Sequence, residues 1–253
     1  MSVIVKSLTN SDAEAEEWRL RCDMAAVFRV SARLGWNEQI GNHNSLMLPG
    51  EAPTFLINPR GWRFEELTAS SLIVCDLEGR VLRGDGELRK VAFYIHARIH
   101  LNNPAVVCLL HVHPQYLTAL SMLADPAFAF AHQNNLLLND RVAYDLDFEG
   151  PADCNAEGDR LARVMGEKTI LMMGSHGVSV AGRTVAEAFD ELHQAERTAM
   201  YQVTAMSTGR PLAVLPEKNR RHYNGPWGDR VDARMHLDAW RRILDKEGSD
   251  YAT

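Results

Sequence analysis

The stretch CLLHVHPQY, residues 108–116, sets an apolar run directly beside two histidines and a proline. The run begins after NNP at residues 102–104, where the residue before proline avoids the α-helical region. A continuous apolar run with such a boundary is typical of a strand that is covered on both faces. We therefore predict a buried strand that ends at its histidines.

Hydrophobic periodicity upstream of this strand predicts helices and short strands. The capping-box pattern Ser11-x-x-Glu14 indicates the start of a helix, and Gly35 indicates its end. Short strands are expected in residues 54–83, where β-rich runs alternate with turn residues. A helix over about residues 88–101 then leads to the proline break.

Downstream of the strand, the pattern is less regular at first and then clear again. Asn155 can cap a helix, and residues 168–182, KTILMMGSHGVSVAG, are typical of two strands that meet around glycines. A second capping box, Thr184-x-x-Glu187, starts a long helix that ends near Gly209. No internal repeat and no interdomain linker is evident.

The composition of the 253-residue chain limits its partners. Its residues are 46% hydrophobic and 24% charged, and its formal net charge is -6. These values argue against a general affinity for nucleic-acid phosphates or anionic membranes, so we expect a small molecule as partner, with no nucleic acid and no membrane. The N-terminus resembles neither a signal peptide nor a transit peptide, and no run approaches the roughly 18 apolar residues of a membrane span. A cytoplasmic location is therefore expected.

Histidines at two predicted strand ends suggest a metal site. His111 and His113 occupy alternate positions, so they project from one face of the strand and can reach one ion, although H-x-H alone is weak evidence. Pro114 places the pair where a rigid strand passes into a loop. His176 stands at a glycine-rich turn after another apolar run, where a turn histidine bonded to backbone is the alternative. Three such imidazoles would suffice for a catalytic metal with an open position.

The order of these motifs resembles the class II aldolase/adducin family. Residues 93–121, FYIHARIHLNNPAVVCLLHVHPQYLTALS, are similar to its helix, proline break and H-x-H strand. Residues 170–196, ILMMGSHGVSVAGRTVAEAFDELHQAE, are similar to its N/S-H-G turn and following helix. The loops GNHNS (41–45) and NPRG (58–61) are similar to its G-N-x-S and T/N-P-x-G loops.

The resemblance implies the fold. The fold class would be α/β, as a single three-layer α/β/α domain with a predominantly antiparallel central sheet. Such a domain is expected over residues 1–253, with its core at about 15–215 and a C-terminal loop and helix at 216–253. The resemblance also implies a homo-oligomer, usually a tetramer.

The resemblance also implies the residues of the site. One divalent metal ion, most often zinc with iron or manganese as alternatives, would be held by His111, His113 and His176. Substrate contacts would come from two N-terminal loops, where ordinary turn chemistry is the alternative explanation. The loop residues concerned are Asn42, His43, Asn44, Asn58 and Gly61.

The chain departs from the family pattern on the helix before the H-x-H strand. Family aldolases carry a glutamate there as acid/base, and this chain has Ala92. Their phosphate-binding serine pair is replaced by Lys90 and Val91, which argues against a sugar phosphate as substrate. Three residues could supply the missing group, each with a plainer explanation as a helix-start charge, a core-edge histidine or a loop aromatic. These candidate catalytic residues are Glu87, His96 and Tyr223, the last acting in a neighbouring subunit as tail tyrosines do in the family.

The departure bears on the reaction. Retro-aldol cleavage needs a positioned base to remove a hydroxyl proton, whereas decarboxylation leaves its electrons on a metal-stabilised enolate without one. We therefore predict a divalent-metal-dependent lyase, of aldolase or decarboxylase type, that acts on a small hydroxy or keto substrate. Two alternatives stay open: a non-catalytic adducin-like interaction module, and an iron-dependent oxygenase on the same scaffold.

Overall fold

The computed structural model of the chain describes residues 10–147, 150, 152–218 and 232–253. Within these residues eight strands form one sheet, and seven helices accompany it. The strands are β1 (His43–Met47), β2 (Thr54–Ile57), β3 (Ile73–Asp76), β4 (Val81–Arg83), β5 (Cys108–Val112), β6 (Val142–Asp145), β7 (Ile170–Met173) and β8 (Gly177–Gly182). The helices are α1 (Asn10–Arg33), α2 (Lys90–Asn102), α3 (Gln115–Ser121), α4 (Gln133–Leu136), α5 (Asn155–Met165), α6 (Val185–Met206) and α7 (Ala233–Lys246).

Strand β5, predicted from the apolar run, lies in the interior of the sheet. The strand order is β4-β3-β2-β1-β5-β8-β7-β6, and β5 pairs with β1 and β8 in antiparallel orientation. The other pairs are also antiparallel, except that β6 and β7 run parallel. All residues of β5 are buried. The predicted α/β fold with a predominantly antiparallel sheet is confirmed.

Successive side chains of β5 point to opposite faces of the sheet, and each face has its own core. Leu110 and Val112 pack in a core shared with α1, α6 and α7. Leu109 packs on the other face, in a core formed with α2 and α5. By the same alternation His111 faces α2 and α5. The sheet thus lies between two helical layers, and the candidate site belongs to the α2/α5 side.

Helices α2 and α5 approach each other closely at Gly158. A Cβ atom at this position would lie 2.2 Å from the Tyr94 carbonyl oxygen and 2.6 Å from Cγ of Arg98. Beside this contact the Arg98 guanidinium donates to the Asp159 carboxylate at 2.7 Å. The absence of a side chain at residue 158 therefore sets the spacing of the two helices that cover the candidate site.

The two predicted capping boxes have different outcomes. Thr184 caps α6, since its hydroxyl accepts the Glu187 backbone N–H at 3.1 Å. The Glu187 carboxylate bonds the Arg183 N–H rather than that of Thr184, so the reciprocal half of the box is displaced by one residue. The first box is not formed as predicted, because α1 already includes Asn10 and Ser11 lies in its first turn. The pattern predicts the helix better than its first residue.

A buried carboxylate attaches α7 to α1. Asp23 accepts from Arg234 and Arg241, each at 2.6 Å, and from Arg19 at 3.0 Å. A helix was expected in the C-terminal region, and α7 confirms it. None of the helices in the described ranges combines the length and apolar character needed to span a membrane.

Candidate metal centre

Three histidines meet at the end of β5 and in the turn between β7 and β8. His111 is the fourth residue of β5, His113 directly follows that strand, and His176 lies in the turn. Their ligand nitrogens all lie within 4.8 Å of one another, and Nε2 of His111 is 3.3 Å from Nε2 of His113. We name these three residues the cleft triad. The structure brings together the histidines that the sequence predicts as metal ligands.

The turn that carries His176 is tightly packed against the end of β5. A Cβ atom at Gly177 would lie 2.4 Å from Cδ2 of His113, so a side chain there would displace that ring. Ser175 adopts a left-handed φ of 53°, and its N–H donates to the Ser121 carbonyl at 2.9 Å. The sequence signal for this close approach is the glycine that directly follows the histidine in S-H-G.

Hydrogen bonds behind the rings orient two members of the cleft triad. The Nδ1–H of His113 donates to the Glu38 carboxylate at 2.7 Å. Nδ1 of His111 lies 3.1 Å from the Ser179 hydroxyl, whose oxygen lies 3.6 Å from the Met173 sulfur. The engaged Nδ1 atoms leave Nε2 of each ring for a shared ligand, which is the usual arrangement behind metal-binding histidines.

Burial favours the uncharged form of His111 and of His176. It lowers the pKa of His111 well below 6.5 and lowers that of His176 to about 4, and nearby histidines add to both shifts. A neutral imidazole offers the lone pair that binds a metal ion. Three imidazole nitrogens with an open position are also a donor set of catalytic zinc sites. The residues present therefore fit a divalent ion of this type.

The cleft triad lines a cavity of about 290 Å³ between the sheet, α2 and α5. Arg89, directly before α2, lies on one side. On the other side Arg160 makes two 2.7 Å hydrogen bonds to the Asp145 carboxylate and also bonds Glu157. A second cavity, of about 930 Å³, shares Arg89 and His113 with the first. The triad therefore adjoins space of the size that a small molecule requires.

A second group of polar side chains runs from the cleft triad into α2. His43 pairs with His111 across β1 and β5, and their rings stack with centroids 4.8 Å apart. Nδ1 of His43 lies 2.8 Å from Nε2 of His96. The Ser45 hydroxyl lies 2.5 Å from Nδ1 of His96 and 2.7 Å from Nε2 of His100. We name His43, Ser45, His96 and His100 the buried relay.

The buried relay ends at a backbone carbonyl, since Nδ1 of His100 lies 2.8 Å from the oxygen of Val106. Burial lowers the pKa of His43 to about 3 and that of His100 to about 4, and it lowers the pKa of His96 well below 6.5. All three imidazoles are therefore neutral at pH 7. His96, a predicted catalytic residue, is fully buried and reaches the cleft only through His43.

The three predicted substrate-binding asparagines are buried and bond to backbone groups. Oδ1 of Asn44 accepts the His111 N–H at 3.1 Å, and Oδ1 of Asn58 accepts the Asn44 N–H at 3.1 Å. Oδ1 of Asn42 accepts the Glu38 N–H at 2.5 Å, and its carbonyl accepts from the Asn58 side chain at 3.2 Å. These bonds hold the backbone around the triad in place. Contact between these asparagines and a substrate stays a prediction.

The remaining predicted site residues do not meet the cleft triad. The Glu87 side chain is exposed, lies 3.5 Å from Arg60 and lines the larger cavity. Gly61, with φ of +91°, lines neither cavity. Ala92, which the resemblance sets at the position of the family's glutamate, is buried in an apolar cluster. Tyr223 lies outside the described residues, so its predicted role stays a prediction.

Sequence reasoning missed three residues that lie far along the chain from the histidines to which they bond. They are Glu38, Ser45 and Ser179. Glu38 is 75 positions from its partner His113, and no local motif links the two. Ser45 could have been found, because it lies two positions after His43 on a strand and therefore shares its face. Ser179 becomes visible only with the register of β5 and β8, in which it lies opposite His111.

A mostly antiparallel sheet between helical layers, with a histidine cleft at the end of its interior strands, defines an α/β protein of the class II aldolase type. The family model described as "Class II Aldolase and Adducin N-terminal domain" matches residues 22–203. A Caulobacter vibrioides protein, named as a candidate class 2 aldolase, is 35% identical over 97% of this chain and 96% of its own. The chain belongs to the class II aldolase and adducin family, and the resemblance seen in its motifs is confirmed.

Other relatives extend the comparison to solved structures and to adducins. An aldolase II superfamily protein from Pseudomonas syringae matches with a TM-score of 0.87 and 28% identity, covering 100% of both chains. L-Fuculose 1-phosphate aldolase from Glaciozyma antarctica shares the fold, with a TM-score of 0.82 at 22% identity over 96% of this chain and 97% of its own. Human beta-adducin is 31% identical over 90% of this chain, which spans 34% of the adducin.

Proposed function

We propose that this protein is a divalent-metal-dependent lyase that acts on a small hydroxy or keto acid beside the cleft triad. The observation that carries the proposal is the convergence of three ligand nitrogens within 4.8 Å, while Nδ1 of His111 and of His113 is held from behind. A divalent ion bound there would supply Lewis-acid stabilisation of negative charge that develops on a substrate oxygen. We expect zinc first, with iron and manganese as alternatives.

Arg89 supports an acid as the substrate. Its guanidinium lines both cavities beside the triad. Within the described part of the chain its hydrogen bond is a single one, 3.3 Å long, to the Ile40 carbonyl. A guanidinium with unused donors can bind a carboxylate with two parallel hydrogen bonds. Lys90, which lines the larger cavity, adds a second positive charge on the same side.

Three carboxylates of the described residues line the 290 Å³ cavity, and the only one of these three without a charged partner among those residues, that of Asp147, is exposed. Asp145 and Glu157 both bond to Arg160, and Glu38 bonds to His113. Loss of carbon dioxide does not require removal of a hydroxyl proton, whereas aldol cleavage does. The two engaged carboxylates and the exposure of the third therefore support decarboxylation as the first expectation within the lyase class, with aldol cleavage by way of Asp147 second.

The first test measures metal content and metal affinity. We expect the purified full-length chain to bind one zinc ion per chain, and we expect His113→Gln to abolish stoichiometric binding. His132→Gln is the matched control, because His132 caps the short helix α4 and belongs to neither histidine group. Wild-type protein that takes up no divalent ion would contradict the proposal.

The second test identifies the reaction. Zinc-loaded protein is incubated with a panel of small hydroxy and keto acids, and released carbon dioxide and released aldehyde are measured separately. We expect Arg89→Gln to raise KM for the acid that reacts, while Arg210→Gln, in a different cavity, leaves it unchanged. Aldehyde alone would indicate an aldolase, and no product from any acid would count against an enzyme of this class.

The similarity to beta-adducin and the alanine at position 92 favour a second candidate, a non-catalytic interaction module. Such a module would not depend on metal, so chelation would leave its thermal unfolding unchanged. We further propose a homo-oligomer, with a tetramer expected from the family, and light scattering on the eluted protein measures its mass. A monomer at working concentrations would remove the oligomer from the proposal without touching the metal site.

A further inference from the structure

We propose that the buried relay fixes His43 with its proton on Nδ1, so that Nε2 offers a lone pair to the cleft and accepts a hydrogen bond from a ligand hydroxyl. The assignment of a ligand rests on the proposed function of the cleft triad. The assignment of the tautomer does not, because it follows from the hydrogen bonds of the protein alone. His43 would be a ligand-contacting residue, and Ser45, His96 and His100 would be positioning residues.

The direction of the relay is set at its inner end. The Val106 carbonyl can only accept, so the 2.8 Å contact requires a proton on Nδ1 of His100. A neutral imidazole carries one proton, and Nε2 of His100 must then be an acceptor. Its partner at 2.7 Å is the Ser45 hydroxyl, which therefore donates its only proton to His100.

The same accounting continues outward to the cleft. Because the Ser45 proton is used, its oxygen must accept at the 2.5 Å contact, and Nδ1 of His96 is the donor. Nε2 of His96 then has no proton, so it accepts at 2.8 Å from Nδ1 of His43. The one proton of neutral His43 is thereby placed on Nδ1, and Nε2 is left bare. No other proton arrangement of three neutral imidazoles satisfies all four contacts.

The bare nitrogen belongs to a residue that lines the cleft. His43 is part of the wall of the 290 Å³ cavity, and its ring stacks on His111 at an interplanar angle of 24°. Nε2 has no hydrogen-bond partner among the described residues. It is also not one of the described polar atoms that are both shielded from solvent and without a partner. The group of convergent ligand nitrogens contains the cleft triad and not His43. This geometry favours a contact with the ligand rather than a fourth position on the ion.

An unprotonated imidazole nitrogen favours a ligand group that can donate a hydrogen bond. It can accept a hydrogen bond from a hydroxyl group, whereas it has nothing to offer a carbonyl oxygen at the same place. A hydroxy acid should therefore bind better than the keto acid of the same carbon skeleton. Arg89 on the same cavity would bind the carboxylate of either one. His43 thus gives the cleft an acceptor that Ala92 does not supply.

The tautomer is measured without metal or substrate. Full-length protein labelled with ¹⁵N at histidine is studied at pH 7 by long-range proton–nitrogen NMR, which distinguishes protonated from bare ring nitrogens, and loss of a signal in His43→Phe assigns the residue. We expect a protonated Nδ1 and a bare Nε2 in His43. A proton on Nε2 in the wild type would overturn the proposal.

Two serine variants test the relay as the cause. Ser45→Ala should give His43 a mixture of tautomers, and Ser45→Thr, which keeps the hydroxyl, should restore the single form. Ser179→Ala is the matched control, since it removes a buried hydroxyl bonded to His111 and outside the relay. An unchanged His43 tautomer in Ser45→Ala would overturn the role of the relay, whether or not the metal site behaves as proposed.

The ligand part is tested with lactate and pyruvate as probes on zinc-loaded protein. We expect wild type to bind lactate about tenfold more tightly relative to pyruvate than His43→Phe does, as loss of one hydrogen bond predicts. An equal ratio in the two proteins would overturn the contact with a hydroxyl. Protein that binds no zinc would instead sink the proposed function, while the NMR result would still stand or fall by itself.

Discussion

The cleft triad and the buried relay use the same type of residue in opposite ways. Both lie on the α2/α5 face of the sheet, and they meet where His43 stacks on His111. In the triad, Nδ1 of His111 and of His113 is engaged from behind, and the ligand nitrogens gather at one point. In the relay, ring nitrogens bond to each other or to Ser45, as far as a backbone carbonyl.

The difference teaches that the second nitrogen decides what a buried histidine does. An imidazole with one nitrogen engaged and the other open is oriented for a ligand. One with both nitrogens engaged, such as His96 or His100, holds its neighbours and offers nothing outward. His43 belongs to the relay but follows the first case, because its Nδ1 is bound and its Nε2 is open at the cleft. Four measurements would break or sharpen this contrast.

The largest expected effect is the loss of metal affinity in a triad variant. His113→Ala removes one of three nitrogen donors, so zinc affinity should fall by more than about 100-fold, beyond the range for outer-shell changes. His100→Gln, at the far end of the relay, should change it by less than about threefold, since it touches no ligand nitrogen directly. Isothermal titration with zinc measures both. Equal losses in the two variants would erase the distinction between the groups.

The second effect is on stability, and it should run the other way. His96→Ala leaves a cavity and strips partners from His43 and Ser45, so the free energy of unfolding of metal-free protein should fall by about 3 kcal/mol. His176→Ala, at a partly exposed turn, should cost less than about 1 kcal/mol. Urea denaturation gives both values. A larger loss in His176→Ala than in His96→Ala would mean that the triad contributes more to the free energy of unfolding than the relay does.

The third effect concerns the carboxylate behind His113. Glu38→Gln replaces a charged acceptor by a neutral amide, so zinc affinity should fall by about 10- to 100-fold while stability changes little. Glu87→Gln is the control, because Glu87 is an exposed glutamate that contacts no histidine of either group. If the two glutamine variants bind zinc alike, then the 2.7 Å contact of Glu38 does not tune the site.

The smallest effect is a pH dependence of stability. Burial lowers the pKa of His100 to about 4 from 6.5, so the unfolded chain binds this proton more readily than the folded protein does. Its contribution to stability is therefore complete above pH 6.5 and is lost as pH falls toward 4. Between pH 7.5 and 5 the loss from His100 should be on the order of 1–2 kcal/mol, and the profile of His100→Gln should be shallower than that of the wild type by this amount, since the other buried histidines still contribute. A wild-type profile that stays flat down to pH 5 would show that the relay is not neutral.

Local signals explain how much of the architecture could be predicted from the sequence. The apolar run before His111 indicated β5, Thr184 indicated the start of α6, and the S-H-G motif indicated the β7–β8 turn. Residues 123–140 gave no clear period. There the chain places Phe128 and Leu138 in the core with only the short helix α4 between them.

The hydrogen bonds around the candidate site could not be predicted in the same way. The pairing of His43 with His111 depends on the register of two strands that are far apart in the chain. The bond from His96 to Ser45 depends, in addition, on how α2 lies across the sheet. Such contacts are properties of the assembled fold, so a residue such as Glu38 carries no sign of its role in its own neighbourhood.

Gly158 influences the geometry of the candidate site from a distance. It faces the Tyr94 carbonyl on α2, and α2 also carries His96 and His100. An alanine at this position would push α2 away, because a methyl carbon 2.2 Å from an oxygen is far closer than van der Waals contact allows. Displacement of α2 would lengthen the 2.5 Å contact between His96 and Ser45 and would allow the His43 ring to rotate. Helix α5 bears no histidine, but the glycine at its position 158 maintains the hydrogen-bond geometry that orients His43 at the cleft.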